Sequence, residues 1–439
     1  MGVWAISLRF PEGGVIVDSR AYLEMASSLQ RGGWPGLAQA GLHWTPGYPV
    51  FLLLSESLTG TTLVGVGFVQ LFLTGCACLA LWWVGARLGS QTVGLAAAVL
   101  YATSPSTALW SLTIMSETLF AFLLVTALAA WIAASTGSRP IWGLVAGLGL
   151  GAASLVRPIG LPLVPLWAGL GLVAVSRASG RSASYLRVAF LVVGSIALVA
   201  PWVLRNWNTT GRLTFADVPR DTFVRFNLAY VVAEAEGISR DEAASRLSAT
   251  VDSWDDALDI VERNPGIFLR QQMNGIRRSL IGVESGVWAR QLGYDIERQG
   301  SFEILPAILA ASPVEALGRL RTLLDDRETV WLTSLMLLAV AHMGVLYILG
   351  GAGLVSVLRK PSLRRADWVL VALSAVFLLV VPGAAGQARF RIPAEPFLAL
   401  LGGAGLNALI SLVRTRRAVS PDPTGRGSLV EPGAGAPGG

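Results

Sequence analysis

Residues 62–86 read TLVGVGFVQLFLTGCACLALWWVGA, 25 positions without a charged side chain. At about 1.5 Å of rise per residue, a helix of that length exceeds the ~30 Å hydrocarbon layer of a bilayer. The stretch therefore reads as a membrane span. Both cysteines of the chain, Cys76 and Cys78, fall inside it, two positions apart and on different helix faces. That spacing gives no disulfide or metal-site reading.

The pattern repeats outward from this stretch. Apolar tracts run over Thr92–Leu109, Thr118–Ala134, Ile141–Leu155, Gly160–Val175, Val188–Leu204, Val330–Leu358, Trp368–Ala384 and Ile392–Val413, with a shorter piece, Tyr48–Leu58, expected to dip into the interface. Their frequent Gly and Ala suit close helix packing in lipid. Across 439 residues, 53% are hydrophobic and 14% charged, a balance that excludes an ordinary soluble domain. The mean hydropathy of +0.59 agrees. The expected fold is an all-α polytopic membrane protein with about nine to ten transmembrane helices. The formal charge of +6 comes from Arg scattered between apolar tracts, so it signals topology rather than a nucleic-acid face. No internal repeat is evident, unlike transporters built from paired halves.

The positive-inside rule orients the tracts. Arg87, Arg139, Arg177, Arg181, Arg187, Arg359, Lys360, Arg364, Arg365, Arg414, Arg416 and Arg417 fall in alternate connections, which are assigned to the cytoplasm. The remaining connections are then outside: the polar stretch of about 15–50, residues 108–117, the Arg157-Pro158 turn, the segment after Arg205, and residues 386–391. The chain divides into an N-terminal membrane region (1–205) with its first outer loop, an extracytoplasmic helical insertion (206–328), C-terminal membrane helices (329–417) and a disordered Pro/Gly-rich cytoplasmic tail (418–439). Within the insertion, Ser239 with Glu242 and Ser312 with Glu315 fit capping boxes, and Asn264-Pro265 opens a helix. The first eight residues, MGVWAISL, are too short to span and are read as the tail of a first helix that begins upstream.

The informative charges are those the topology rule does not explain. Arg157, Arg205, Arg389 and Arg391 stand at outer helix ends, where Arg needs a partner or snorkels to the headgroups. One reading pairs them with Glu395 or Asp18. Another uses the planar guanidinium as a ligand for a lipid phosphate. At the same level lie Asp18, Glu24, Glu56 and Glu117. Glu117 is favoured by a helix dipole alone, Asp18 also fits an N-cap, and Glu24 reads as a solvated surface residue. His43 and His342 are isolated, so no metal is expected, and no cofactor. Trp44, Tyr48, Trp110 and Trp202 fit an interfacial aromatic belt or a sugar platform.

Taken in order, the motifs are D-x3-Y (Asp18, Tyr22), W-T-P-G-Y-P (44–49), S-E-T-L-F (116–120), V-R-P-x-G (156–160), P-W-x3-N-W-N-x2-G (201–211) and Q-A-R-F-R-I-P-A-E-P (387–396). This series resembles the GT-C superfamily of membrane glycosyltransferases, in the branch of the dolichyl-phosphate-mannose protein mannosyltransferases and aminoarabinose transferases. The resemblance covers about residues 15–210 and 330–413. It implies a GT-C-like bundle in the cell membrane, a sugar donor carried on a polyprenyl phosphate, and transfer at the extracytoplasmic face. It assigns Asp18 as the catalytic base and Arg389 and Arg391 to the donor phosphate. Many members carry an Asp-Glu pair in the first outer loop, whereas here Ser19 follows Asp18. Arg205 is added to the phosphate ligands from its position, and Glu117, Tyr22, His43, Tyr48 and Arg157 are candidate substrate contacts. The physical logic runs the same way. A carboxylate removes the proton of an attacking hydroxyl, and fixed Arg donors stabilise the departing phosphate. One displacement inverts the anomeric carbon and needs no second carboxylate. The alternative, a transporter or flippase of a lipid-linked envelope precursor, would want polar groups along a crossing path, and His342 is the titratable side chain nearest a helix middle. Neither the sugar nor the acceptor, whether protein, lipid or glycan, is readable from these residues.

Overall fold

The computed structural model describes residues 14–36, 44–61, 63–137, 139–175, 181–251, 253–283, 285–293, 314–315, 318, 321, 330–359 and 364–419. The reading of MGVWAISL, His43, the Ser312 capping box, Lys360 and nearly all of the tail fall outside them.

The chain is all-α among the described residues. Helix α1 (Val17–Gly36) is followed by α2 (Gly47–Thr59), α3 (Leu63–Leu88), α4 (Gln91–Ala102), α5 (Pro105–Ser111), α6 (Glu117–Thr136), α7 (Trp142–Val156), α8 (Leu163–Val175) and α9 (Arg181–Thr210). Among the described residues, five helices are long and apolar enough to cross a membrane: α3, α6, the greater part of α9, α16 (Val330–Arg359), and residues 388–415 around α18 (Glu395–Val419). Shorter helices, including α7, α8 and α17 (Arg365–Val380), complete the bundle.

The tract at 92–109, expected as one span, is two helices bent by 59°. Pro105 has no N–H to continue the ladder of α4, and Ser104 caps the next helix by accepting from Thr107 N at 3.2 Å. Within the polar outer stretch, Val17–Gly36 forms the 20-residue helix α1, kinked at Gly33, where φ is 57°. Asp18 is in its first turn rather than at the N-cap. Ser19 does the local work there, its Oγ accepting from Ile16 N at 3.0 Å and donating to Ile114 O at 2.8 Å.

Small residues set the helix spacing. Gly143 and Gly147 of α7 lie on the backbone of α9 at Arg187 and Leu191, and Gly353 of α16 lies on Leu401 of α18. A Cβ at any of the three would fall on a carbonyl oxygen, so these are the small-residue contacts by which helices pair where lipid offers no hydrophobic drive.

Between α9 and α16 the described chain forms α10 (Val218–Thr222), a π-helical turn (Phe223–Leu228), α11 (Ala229–Glu236), α12 (Arg240–Thr250), α13 (Trp254–Arg263), α14 (Pro265–Ile281) and α15 (Ser285–Gln291). Its small core is Val224, Leu228, Ala229, Ala243, Leu247, Val251 and Ala257. Ser239 accepts from Glu242 N at 3.2 Å, and Pro265 is the first residue of α14, as their sequence signals imply. A capping box that the sequence reading passed over joins Ser253 and Asp256.

Candidate functional site

Two segments remote in sequence meet at one end of the bundle. The first is the start of α1. The second is a strap between α17 and α18, made of two 3-10 turns, Gly383–Ala385 and Ala388–Ala394. Arg389 of the strap donates from Nη1 to Asp18 Oδ2 at 2.7 Å, across 371 positions of chain. Both side chains keep partial access to solvent, 16% for Arg389 and 30% for Asp18.

A second ion pair stands beside the first. Glu117, the first residue of α6, is fully enclosed, with Oε1 at 2.6 Å from Arg157 Nη1. That nitrogen is aligned on Ser116 Oγ at 3.1 Å, so its contact with Glu117 is one of charge more than of directed hydrogen bonding. Glu117 Oε2 is buried without a hydrogen-bond partner among the described residues. The N-terminus of α6 and the Arg157 guanidinium offset the desolvation of this carboxylate. Phe390 joins the two pairs: the guanidinium carbon of Arg157 lies 5.5 Å from its ring centroid and that of Arg389 5.2 Å.

The aromatic wall comes from α1, α2 and Trp44 just ahead of α2. Tyr22 packs on Trp44 and Tyr48 with ring centroids 5.0 and 4.9 Å apart, and its hydroxyl meets Ser116 Oγ at 3.3 Å. Burial pushes the Tyr22 phenol up against the opposing pull of Arg157, and pushes that of Tyr48 well up, so both stay protonated donors at neutral pH. Tyr48 donates to Gln70 Oε1 at 3.2 Å, and Gln70 Nε2 donates to the carbonyls of Ser111 at 3.1 Å and Thr113 at 2.8 Å. Gln70 is the lone amide in the apolar stretch 62–86, a signal that a partner network was needed.

The strap separates the two arginines that the sequence treated alike. Arg391 is 1% exposed and does not face the Asp18 pair. It donates from Nε to Glu395 Oε1 at 3.1 Å, from Nη1 to the carbonyls of Ser279, Leu280 and Gly282 at 2.9, 3.1 and 3.2 Å, and from Nη2 to Ser106 Oγ at 3.3 Å. Glu395 Oε2 in turn accepts from Ser104 Oγ at 2.7 Å and Thr107 Oγ1 at 2.8 Å. The donors of Arg391 are thus committed to protein acceptors in a closed environment, an arrangement that favours an internal role over the phosphate contact expected of it. Arg205 donates to Asn206 Oδ1 at 3.0 Å and lies over Trp202, which packs on Met25 of α1. It therefore borders α1 at Met25, one turn and more beyond Asp18 along the helix. Glu24 is exposed, and His342 Nε2 meets the Leu100 carbonyl at 2.8 Å, just before the α4–α5 bend. No group of three His, Cys, Asp or Glu side chains stands together among the described residues. Phe390, Ser116 and Gln70 are the site residues that sequence reasoning missed.

Residues 43–204 match the family model described as dolichyl-phosphate-mannose-protein mannosyltransferase. Among curated proteins no relative matches. Among solved structures, the Archaeoglobus fulgidus oligosaccharyltransferase is similar over 86% of this chain at 15% identity and a TM-score of 0.49; this chain spans 43% of its length. ArnT from Cupriavidus metallidurans in the apo state is similar over 91% of this chain and 74% of its own, at 13% identity and a TM-score of 0.39. ArnT bound to undecaprenyl phosphate gives 86% and 70% coverage, 12% identity and a TM-score of 0.36.

Proposed function

We propose that this chain, with its mannosyltransferase-family domain over residues 43–204, is a membrane glycosyltransferase that moves a sugar from a polyprenyl-phosphate donor to an acceptor at the outer face. The observation that carries the reading is the 2.7 Å contact between Asp18 and Arg389, which brings a partly exposed carboxylate and a partly exposed guanidinium to one point. In the reaction, the donor phosphate takes the guanidinium of Arg389, and Asp18 turns to the acceptor hydroxyl. The acceptor oxygen attacks the anomeric carbon, the bond from that carbon to the phosphate oxygen breaks, and the hydroxyl proton passes to Asp18. Polyprenyl phosphate leaves with its new negative charge held by Arg389. A single displacement inverts the anomeric carbon. Trp44, half-buried and packed on Tyr22, supplies the apolar surface against which a sugar ring stacks, and the buried Tyr22 and Tyr48 hold it from behind.

The test separates chemistry from binding. Asp18→Asn keeps the shape of the side chain and removes the base, so transfer is expected to fall by at least about 100-fold, the usual worth of a general base. Polyprenyl phosphate binding in detergent is expected to persist. Wild-type turnover in Asp18→Asn would overturn the assignment of the base. Arg389→Ala is expected to weaken lipid-phosphate binding, and an unchanged Kd would remove the phosphate role.

A further inference from the structure

The strap that carries Arg389 is held on both sides of that residue by the insertion. On one side, Ala384 N donates to Asn227 Oδ1 at 2.8 Å and Gln272 Oε1 at 2.9 Å. Arg278 of α14 donates from Nη2 to Ala384 O at 2.6 Å and from Nε to Gly386 O at 3.2 Å, with its guanidinium lying 4.9 Å from the Tyr230 ring. Gly275 of α14 lies against the backbone of Gly383 and Gly386 of the strap, and a Cβ on Gly275 would fall on the Gly383 carbonyl while one on Gly386 would fall on the Gly275 carbonyl. On the other side, Arg391 collects the carbonyls at the C-terminal end of α14. The last carbonyls of a helix lack partners within it, and a guanidinium fork satisfies them and complements the dipole there. Tyr347 of α16 adds a bond to Leu280 O at 2.7 Å.

We propose that Arg278 and Arg391 are positioning residues: α14 grips the strap before and after Arg389, and the grip sets the aim of Arg389 at the donor phosphate. The inference rests on Arg389 being that phosphate ligand. Arg278 is the better lever of the two, since it lies on the insertion half-buried, whereas Arg391 shares an enclosed ion pair with Glu395. The planar fork of Arg278 is pre-organised to hold the Ala384 and Gly386 carbonyls together, which the point charge of an ammonium is not.

The experiment is a double-mutant cycle on the full-length protein in detergent, with polyprenyl phosphate as the binding probe. Arg278→Gln is expected to raise the lipid-phosphate Kd and the donor KM together by about tenfold, the scale of one lost charge-assisted hydrogen bond. The acceptor KM should stay within twofold, and Arg278→Lys should recover part of the loss. In an Arg389→Ala background, Arg278→Gln should have no further effect on Kd, because its influence runs through Arg389. Asn227→Ala reads the same grip from a second point and should shift Kd in the same direction. Unchanged Kd in both Arg278→Gln and Asn227→Ala would overturn the proposal. So would additivity of Arg278→Gln with Arg389→Ala, or a loss of turnover that tracks a lowered Tm at constant donor KM. If Arg389→Ala alone leaves Kd unchanged, it is the phosphate role of Arg389 that falls.

Discussion

Arg157 stands against the enclosed carboxylate of Glu117 at the head of α6, and that makes it the single side chain whose loss is most easily priced in stability. Removing it strands Glu117, which is fully enclosed, without a countercharge. The expected destabilisation for Arg157→Ala is about 3 kcal/mol, the lower end of the range for breaking a buried pair. It should read as a lowered Tm in detergent, and Glu117→Gln in the same background should restore part of it. An equal drop in the single and double variants would show that Arg157 acts through packing instead. At this scale the sequence told some things and withheld others. Asp18, Glu117 and Arg389 were each marked by type and motif. Asp18 and Glu395 were named as candidate partners of the outer Arg residues, but which Arg meets which carboxylate stayed open, because a pair 371 positions apart has no local signature. Arg389 and Arg391 share one motif two positions apart, so nothing in the chain of letters separated the partly exposed guanidinium from the enclosed one.

The strap is the element on which the site turns, and its first turn depends on Gly383. There φ is 55°, in the left-handed region, and a Cβ would fall on Gln272 Oε1 of the insertion. Gly383→Ala therefore meets backbone strain of about 1–2 kcal/mol and a clash together. It is expected to lower Tm and to weaken polyprenyl-phosphate binding. Gly351→Ala in α16 serves as the comparison, since no atom lies within 4 Å of a Cβ there. Helix propensity alone should leave that variant unchanged or about 0.5–1 kcal/mol more stable. Similar losses in the two would argue against strain in the strap. The tracts of hydropathy located α3, α6, α9, α16 and α18 because a span must be apolar along its length. They did not show the break between α4 and α5, where Pro105 and Ser104 interrupt an otherwise apolar run, nor the helix in the polar stretch at α1, which owes its place to packing of Tyr22, Met25 and Ala26.

For the whole molecule, the ends of the bundle differ in character. One end holds the Asp18 and Glu117 pairs, the strap and the insertion. The other holds Arg187 over Trp131 at 4.5 Å, and Asp367 with Ser135 at 3.3 Å and Arg364 at 3.9 Å. On the positive-inside rule, the second end is expected to face the cytoplasm. Leu213, 78% exposed between α9 and α10, tests this. A Leu213→Cys variant, in a background with Cys76 and Cys78 changed to Ser, is expected to react with a membrane-impermeant maleimide in intact cells. Labelling only after the membrane is opened would reverse the orientation. The sequence by itself determined that this is an all-α membrane protein and how its apolar tracts are spaced, since hydrophobicity along a helix is a local property of consecutive residues. It also marked the residue types suited to a base and to phosphate ligands. Only the tertiary structure decided which of those residues meet, because the carboxylate of α1 and the guanidinium of the strap come together through packing of helices remote in the chain. It also turned Arg391 inward, where three carbonyls at the end of α14 and the carboxylate of Glu395 offer it more than solvent does.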